Sequence, residues 1–271
     1  MRGTSRGSLS AGQERLETLL ASAGTDPATL SEDLFGVTGA LAGSPGLRRA
    51  LTDPSRDGEA KASLVANLFG GKVSGAAVDL VSGLVRSRWS AGGDLTDAIE
   101  SMAVASIVAA AERNGRLDAV EDELFRFGRI VSGDQGLRDA FSVRSEGAGR
   151  KADLVAALLG GRAAPETVRL AVQAASAPRG MRTERVLESY VAAVAHRRSQ
   201  LVAEVIVAVP MTTAQRERLA ASLHRMYGKP IRLNVDVDPA VIGGIRVQVE
   251  GEVLDGTVAG RLDEAQRRLA G

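Results

Sequence analysis

The sequence predicts a mainly helical protein in which duplicated helical bundles are followed by a small α+β domain. Three observations carry this. Aromatic residues make up only 3% of a chain that is 44% hydrophobic, so its cores are built from Leu, Val, Ile and Ala, and Ala and Leu enter helices at little entropic cost. A long stretch of sequence returns after 90 residues with its apolar stripe and its glycine punctuation in register. From residue 200 the apolar period falls to two, the spacing of strands.

The first copy of the repeat opens with Leu30, Leu34, Val37 and Leu41, and the second with Val120, Leu124, Phe127 and Val131. Steps of four, three and four residues put each set on one face of a helix. Leu34-Phe35 answers Leu124-Phe125, and Gly46-Leu47-Arg48 answers Gly136-Leu137-Arg138. Lys61-Ala62, Leu64-Val65-Ala66, Leu68 and Gly70-Gly71 answer Lys151-Ala152, Leu154-Val155-Ala156, Leu158 and Gly160-Gly161. Shared periodicity is expected of any two amphipathic helices; shared punctuation in one register is not, and it marks a duplication. Only two copies are visible, which predicts two similar bundles and not a long solenoid.

In the second copy, Ile99 to Asn114 reads as a helix closed by Gly115, a residue that accepts the left-handed conformation of a helix end. Leu117 to Ser132 follows, ending at Gly133. Shorter helices run over Gly149–Leu159 and Pro165–Ala177. Pro178-Arg179-Gly180 breaks the chain before a long helix, Thr183–Arg198. In the first copy Arg86-Ser87-Arg88-Trp89-Ser90 occupies the place of Ala175–Gly180, and there the copies diverge.

Beyond Gln200, Leu201, Ala203, Val205, Val207 and Val209 alternate as a strand stopped by Pro210. Thr212 with Gln215 forms a capping box. The helix it starts carries Leu219, Leu223 and Met226 on one face and ends at Gly228. Ile231 to Val237 make a second strand, and Ile245, Val247 and Val249 a third. Glu250-Gly251 turns into Val253-Leu254, and Thr257 caps a final helix striped by Val258, Leu262, Ala265 and Leu269. The expected sheet is covered by two helices on one side. The resulting division is 1–95, an N-terminal bundle; 96–199, a second bundle; and 200–271, the α+β domain.

Composition narrows the chemistry. Basic and acidic residues balance at 34 against 33, which does not indicate a general nucleic-acid surface. With no cysteine and two histidines, thiolate and multi-histidine metal sites are not expected, nor is any cofactor. The longest apolar run, Ala103 to Ala111, is far short of the ~20 residues that span a bilayer. No apolar run follows the charged N-terminus, so no signal peptide is read and the chain is expected to be soluble and cytoplasmic.

The segment Val237 to Leu269 carries a family resemblance. Asp238-Pro239, Gly243-Gly244 and Asp255-Gly256, with the apolar residues between them, resemble the C-terminal signature of delta subunits of bacterial F-type ATP synthases, relatives of the mitochondrial oligomycin-sensitivity-conferring protein; Thr257 stands where that pattern usually has Ser. Met102 to Arg198, including Asn114-Gly115-Arg116-Leu117, resembles the family's helical bundle. The first hundred residues depart from the common one-bundle pattern and look like the extended actinobacterial form, as does a marked preference for Arg over Lys. The resemblance implies a non-catalytic stator subunit, peripheral on the cytoplasmic face of the membrane, that joins the catalytic head to the stalk. Its implied partners are N-terminal segments of the alpha subunit and a b-type stalk subunit, each held as a helix in a groove. Ile99 and Met102 already supply a core stripe, so Val104, Ile107, Val108 and Ala111 are expected to face the alpha segment.

Other motifs have plainer readings. Gly70-Gly71-Lys72 lacks the Gly at 66 and the Ser or Thr at 73 of a phosphate loop, and reads as a helix-ending turn. Gly243-Gly244 precedes a strand and reads as a turn that needs permissive backbone angles. His196 and His224 lack a neighbouring nucleophile or carboxylate pair. Trp89 reads as a boundary core residue or as an anchor for a partner. Arg179, Arg182 and Arg185 read as a solvated face or as an anion contact. The competing class is a helical adaptor for other proteins or RNA, but its candidate strands contain no aromatic residue for base stacking. An enzyme has no constellation to support it.

Overall fold

A computed structural model describes residues 3–142, 147–199, 201–239, 243–249 and 252–255. The chain divides into two compact units, Met1–Arg197 and Arg198–Gly271.

The first unit is entirely helical among its described residues: α1 (Gly3–Ala21), α2 (Pro27–Gly43), α3 (Pro45–Thr52), α4 (Gly58–Phe69), α5 (Gly75–Arg86), α6 (Gly92–Arg113), α7 (Leu117–Gly133), α8 (Gln135–Ser142), α9 (Ala148–Leu159), α10 (Pro165–Ser176) and α11 (Thr183–Ser199). The boundaries of α2 to α5 recur in α7 to α10 with an offset of 90 residues at both ends of every helix. By the same offset α6 answers α1, and α11 answers α6. The last helix of the first repeat is therefore the first helix of the second.

Side chains at equivalent positions do the same work. Asp33 and Glu123 each accept a hydrogen bond from the N-cap backbone N–H of α5 and α10, from Ser74 at 2.8 Å and from Ala164 at 2.9 Å. Such remote caps satisfy donors that a helix start leaves unpaired. The arginines of the Gly-Leu-Arg motifs fold back on the end of the preceding helix. Arg48 donates to the Leu41 and Ala42 carbonyls at 2.6 and 2.8 Å, and Arg138 donates to that of Ser132. Gly70 and Gly160 donate their N–H to Ala66 and Ala156 at 2.8 Å, and Gly71 and Gly161 follow with φ of 72° and 69°. Gly70-Gly71-Lys72 is thus a helix-ending turn.

Both stripes are buried, Leu30, Leu34, Val37 and Leu41 in one repeat and Val120, Leu124, Phe127 and Val131 in the other. One hydrophobic core runs through both repeats, with α6 within it. This corrects the division at 95/96, which falls inside α6: a helix buried on nearly every side cannot be the edge of a separate bundle. Trp89 packs into this core with its indole N–H donating to Leu84 O at 2.8 Å. α1 escaped the sequence reading because its apolar residues are sparse; Leu9, Leu16, Leu19 and Leu20 pack it against the core.

The second unit comprises β1 (Leu201–Val207), α12 (Thr213–Tyr227), β2 (Ile231–Val237), β3 (Ile245–Val249) and β4 (Glu252–Asp255). The strand order is β2-β1-β3-β4. β1 and β2 are parallel, with Leu201 opposite Ile231, and α12 is the connection that parallel strands require. β3 runs antiparallel to both β1 and β4. Leu201, Ala203, Val205 and Val207 pack with Val247, Val249 and Leu223 of α12. Both halves of the Thr212–Gln215 capping box form, and Gly228 closes α12 in the left-handed conformation. Two details differ from expectation. β1 ends at Val207, leaving Val209 exposed, and Met226 is 64% exposed, because the apolar face of α12 is narrow and is filled by Leu219 and Leu223. The final helix expected from Val258 to Leu269 lies outside the described residues.

Candidate partner-binding surfaces

The interface between the repeats is itself a helix laid into a groove. α2 lies along α6 and reaches α10. Ser31 Oγ donates to Ala103 O at 2.9 Å, and the Arg169 guanidinium sits 4.3 Å over the Phe35 ring while pairing with Glu32. Val104, Ile107, Val108 and Ala111 are all buried in this core, none more than 5% exposed. The expectation that they face an alpha-subunit segment is thereby corrected. The wide apolar face of α6 does have a second neighbour, but that neighbour belongs to the same chain.

Polar latches fix the ends of this layer. Asn114 and Arg116, on either side of the left-handed Gly115 (φ 66°), donate to Glu166 Oε1 of α10 at 2.8 and 2.9 Å. Burial pushes the Glu166 carboxyl up, but the Asn114 hydrogen bond, the Arg116 bond and the Arg116 charge outweigh it and hold the group below the ordinary carboxylate range. The Asn-Gly-Arg motif is therefore a turn plus a clamp. Glu166 was not singled out from sequence because its partners lie 50 residues away. Arg113 donates to the Leu20 carbonyl at the end of α1 and to that of Thr25 in the connection to α2.

Arg179 stands where the first repeat has Trp89. It adopts a left-handed conformation (φ 46°) and pairs with Asp97 at 2.6 Å and with Glu100 of α6. Glu100 Oε1 lies 3.5 Å from the Tyr190 hydroxyl, and burial followed by the Glu100 charge raises the pKa of that phenol. The three arginines noted in the sequence thus part company: Arg179 is a partly buried latch, Arg185 pairs with Glu188, and exposed Arg182 lines an open cleft of about 880 Å³. The equivalent cleft of the first repeat, about 450 Å³, is lined by Trp89. Buried Lys151 at the edge of the larger cleft is committed to Phe141 O at 2.6 Å.

In the second unit the signature residues shape the strand connections. Asp238 N–H donates to Val207 O at 2.9 Å, and Pro239 follows it in a turn. Gly243 and Gly244 have φ of 64° and 84°, angles at which a Cβ meets the neighbouring carbonyl. Asp255 ends β4 opposite Arg246 in the register; Gly256 lies outside the described residues. His224 Nδ1 lies 2.8 Å from Lys229 O. Among the described residues no three His, Asp or Glu converge as metal ligands, and no helix is long and apolar enough to cross a membrane.

Comparison with known proteins matches the sequence to a family. Residues 99–269 match the model of the ATP synthase delta (OSCP) subunit. The ATP synthase subunit delta of Kineococcus radiotolerans is 54% identical over 99% of this chain and 98% of its own length. Those of Streptomyces griseus and Streptomyces coelicolor are 50% and 51% identical, each over 100% of this chain and 100% and 98% of their own lengths. The similarity includes the N-terminal repeat that the family model leaves out. The chain belongs to the ATP synthase delta (OSCP) subunit family.

Proposed function

We propose that the chain is a non-catalytic stator subunit of an F-type ATP synthase, peripheral on the cytoplasmic face of the membrane. In this reading it joins the alpha/beta head to the membrane-anchored stalk, so that the head resists rotor torque during proton-driven ATP synthesis. The observation that carries it is the end-to-end similarity to subunits of that name, across both repeats and the α+β unit. The helical unit takes N-terminal segments of alpha on its outer surface, since the α6 face is already filled by α2. The α+β unit takes the b-type stalk subunit.

Two features agree with a linking role. The helical unit is latched at several points by ion pairs between segments far apart in sequence. The described strands carry no aromatic residue, which disfavours the alternative of an RNA-binding adaptor. Affinity purification of the tagged chain from its own cells tests the proposal. Alpha and b-type subunits should co-purify stoichiometrically, with alpha cross-linking to residues 1–197 and the stalk to residues 198–271. A chain recovered without ATP synthase subunits overturns the reading.

A further inference from the structure

The internal contact between the repeats is a template for a contact that the second repeat does not make within the chain. In the first repeat, Glu32 and Phe35 lie one turn apart on α2, and Arg169 of α10 covers both. Their equivalents on α7 are Asp122 and Phe125, with the same spacing. Phe35 is 5% exposed; Phe125 is 57% exposed. Asp122 pairs within its own helix, in a solvent-facing contact with Arg126.

Terminal repeats ordinarily present polar outer faces, and most of this one does. α11 turns Arg185, Glu188, Ser189 and His196 to solvent. Phe125, Ile130 and Met181 are exceptions, and of these Phe125 alone is an aromatic with an acid one turn before it, on the helix equivalent to α2. Large exposed aromatics beside charge complementarity are the usual anchors of protein contacts.

We propose that the Asp122–Phe125 face of α7 docks a helix of another subunit of the assembly, one that presents an arginine as α10 presents Arg169. The guanidinium stacks on the Phe125 ring and pairs with Asp122 in exchange for Arg126. A second copy of this chain does not fit. Its open equivalent of the α6/α10 groove lies on α1 and α5, where Asp79 replaces Arg169 and exposed Gln13 replaces Ala103. Asp79 is itself paired with Arg15 at 2.6 Å, so the guanidinium nearest that site is already engaged and none stands where Arg169 stands. The inference rests on the proposed membership in the ATP synthase stator.

Side-chain footprinting by hydroxyl radicals, applied to the free chain and to the purified complex, tests it. Phe125 should be oxidised readily in the free chain and at least ten-fold more slowly in the complex. Asp122→Arg and Phe125→Glu, both at exposed positions, should leave the melting temperature unchanged and weaken retention in the complex at least ten-fold. A chain that never enters the complex refutes the stator reading instead. A chain that co-purifies with Phe125 as reactive as before, or a Phe125 already protected in the free chain, overturns the docking proposal.

Discussion

Arg197 in α11 donates to Glu17 in α1 at 3.1 Å and, through its other edge, to Glu112 in α6 at 2.8 Å. Positions 17 and 197 are equivalent by two steps of the repeat, with Ile107 between them. One guanidinium therefore ties the first, shared and last helices of the unit together at the same level. Arg197 is 9% exposed, while its carboxylate partners remain about 30% exposed.

Arg197→Met should destabilise the helical unit by about 2 kcal/mol, less than the ~3–5 kcal/mol of a fully buried broken pair, because water still reaches both carboxylates. Glu17→Gln alone should cost less, since Glu112 keeps its partner. Thermal melts of the two variants and their combination give the coupling energy. A coupling near zero shows that the contact with α1 contributes nothing to stability.

Glu166→Gln should cost about 1–3 kcal/mol at neutral pH by removing the charge that Arg116 faces. The folded pKa of Glu166 is depressed below the ordinary 4.5. Its contribution is therefore full above the unfolded value and lost as pH falls through the lower folded value. Melting curves of wild type and variant should differ by a constant amount above about pH 5 and converge in stronger acid. A gap that persists undiminished in acid assigns the loss to packing.

The glycine-rich turn before β3 was legible in sequence, and so were most helices, because Gly, Pro and the capping residues mark ends that backbone geometry enforces. The site was less legible. The pattern of α6 showed that the helix needs neighbours on several sides, but an apolar face does not distinguish a partner from a helix 70 residues earlier in the same chain, as Ser31 and Ala103 are. Repeat arithmetic held the missing clue. Leu9 and Leu20 answer Ile99 and Ala110 of α6, although Leu16 answers Ser106, so the start of α1 was partly readable by extending the 90-residue offset backwards.

Gly244→Val should destabilise the α+β unit by more than the ~1–2 kcal/mol that a left-handed conformation costs an unbranched residue, since φ there is 84°. Amide exchange should accelerate across β1, β3 and β4 and stay unchanged in α2 to α10. Faster exchange in the helical unit contradicts the local effect. If stalk binding is lost through this unfolding, cooling should restore it.

Trp89 is the sole tryptophan, and its burial makes it a reporter. Its emission should be blue-shifted and resist acrylamide in the free chain, and Trp89→Phe should cost about 1 kcal/mol through loss of the hydrogen bond to Leu84 O. Red-shifted, readily quenched emission instead marks an exposed anchor.

Sharing α6 between the repeats sets the currency in which such a chain can change length. Because no linker separates the copies, recombination at equivalent points of α1, α6 and α11 inserts or removes a multiple of 90 residues and leaves a continuous helix at the join. A loss of residues 2–91 keeps α6 to α11 but strips α2 away and turns part of the buried α6 face, including Ile107, toward water. A one-repeat descendant then has two routes to solubility. Its lineage can convert those positions to polar residues, or it can recruit a helix from another polypeptide to lie where α2 once lay, so that an intramolecular contact becomes an obligate partnership.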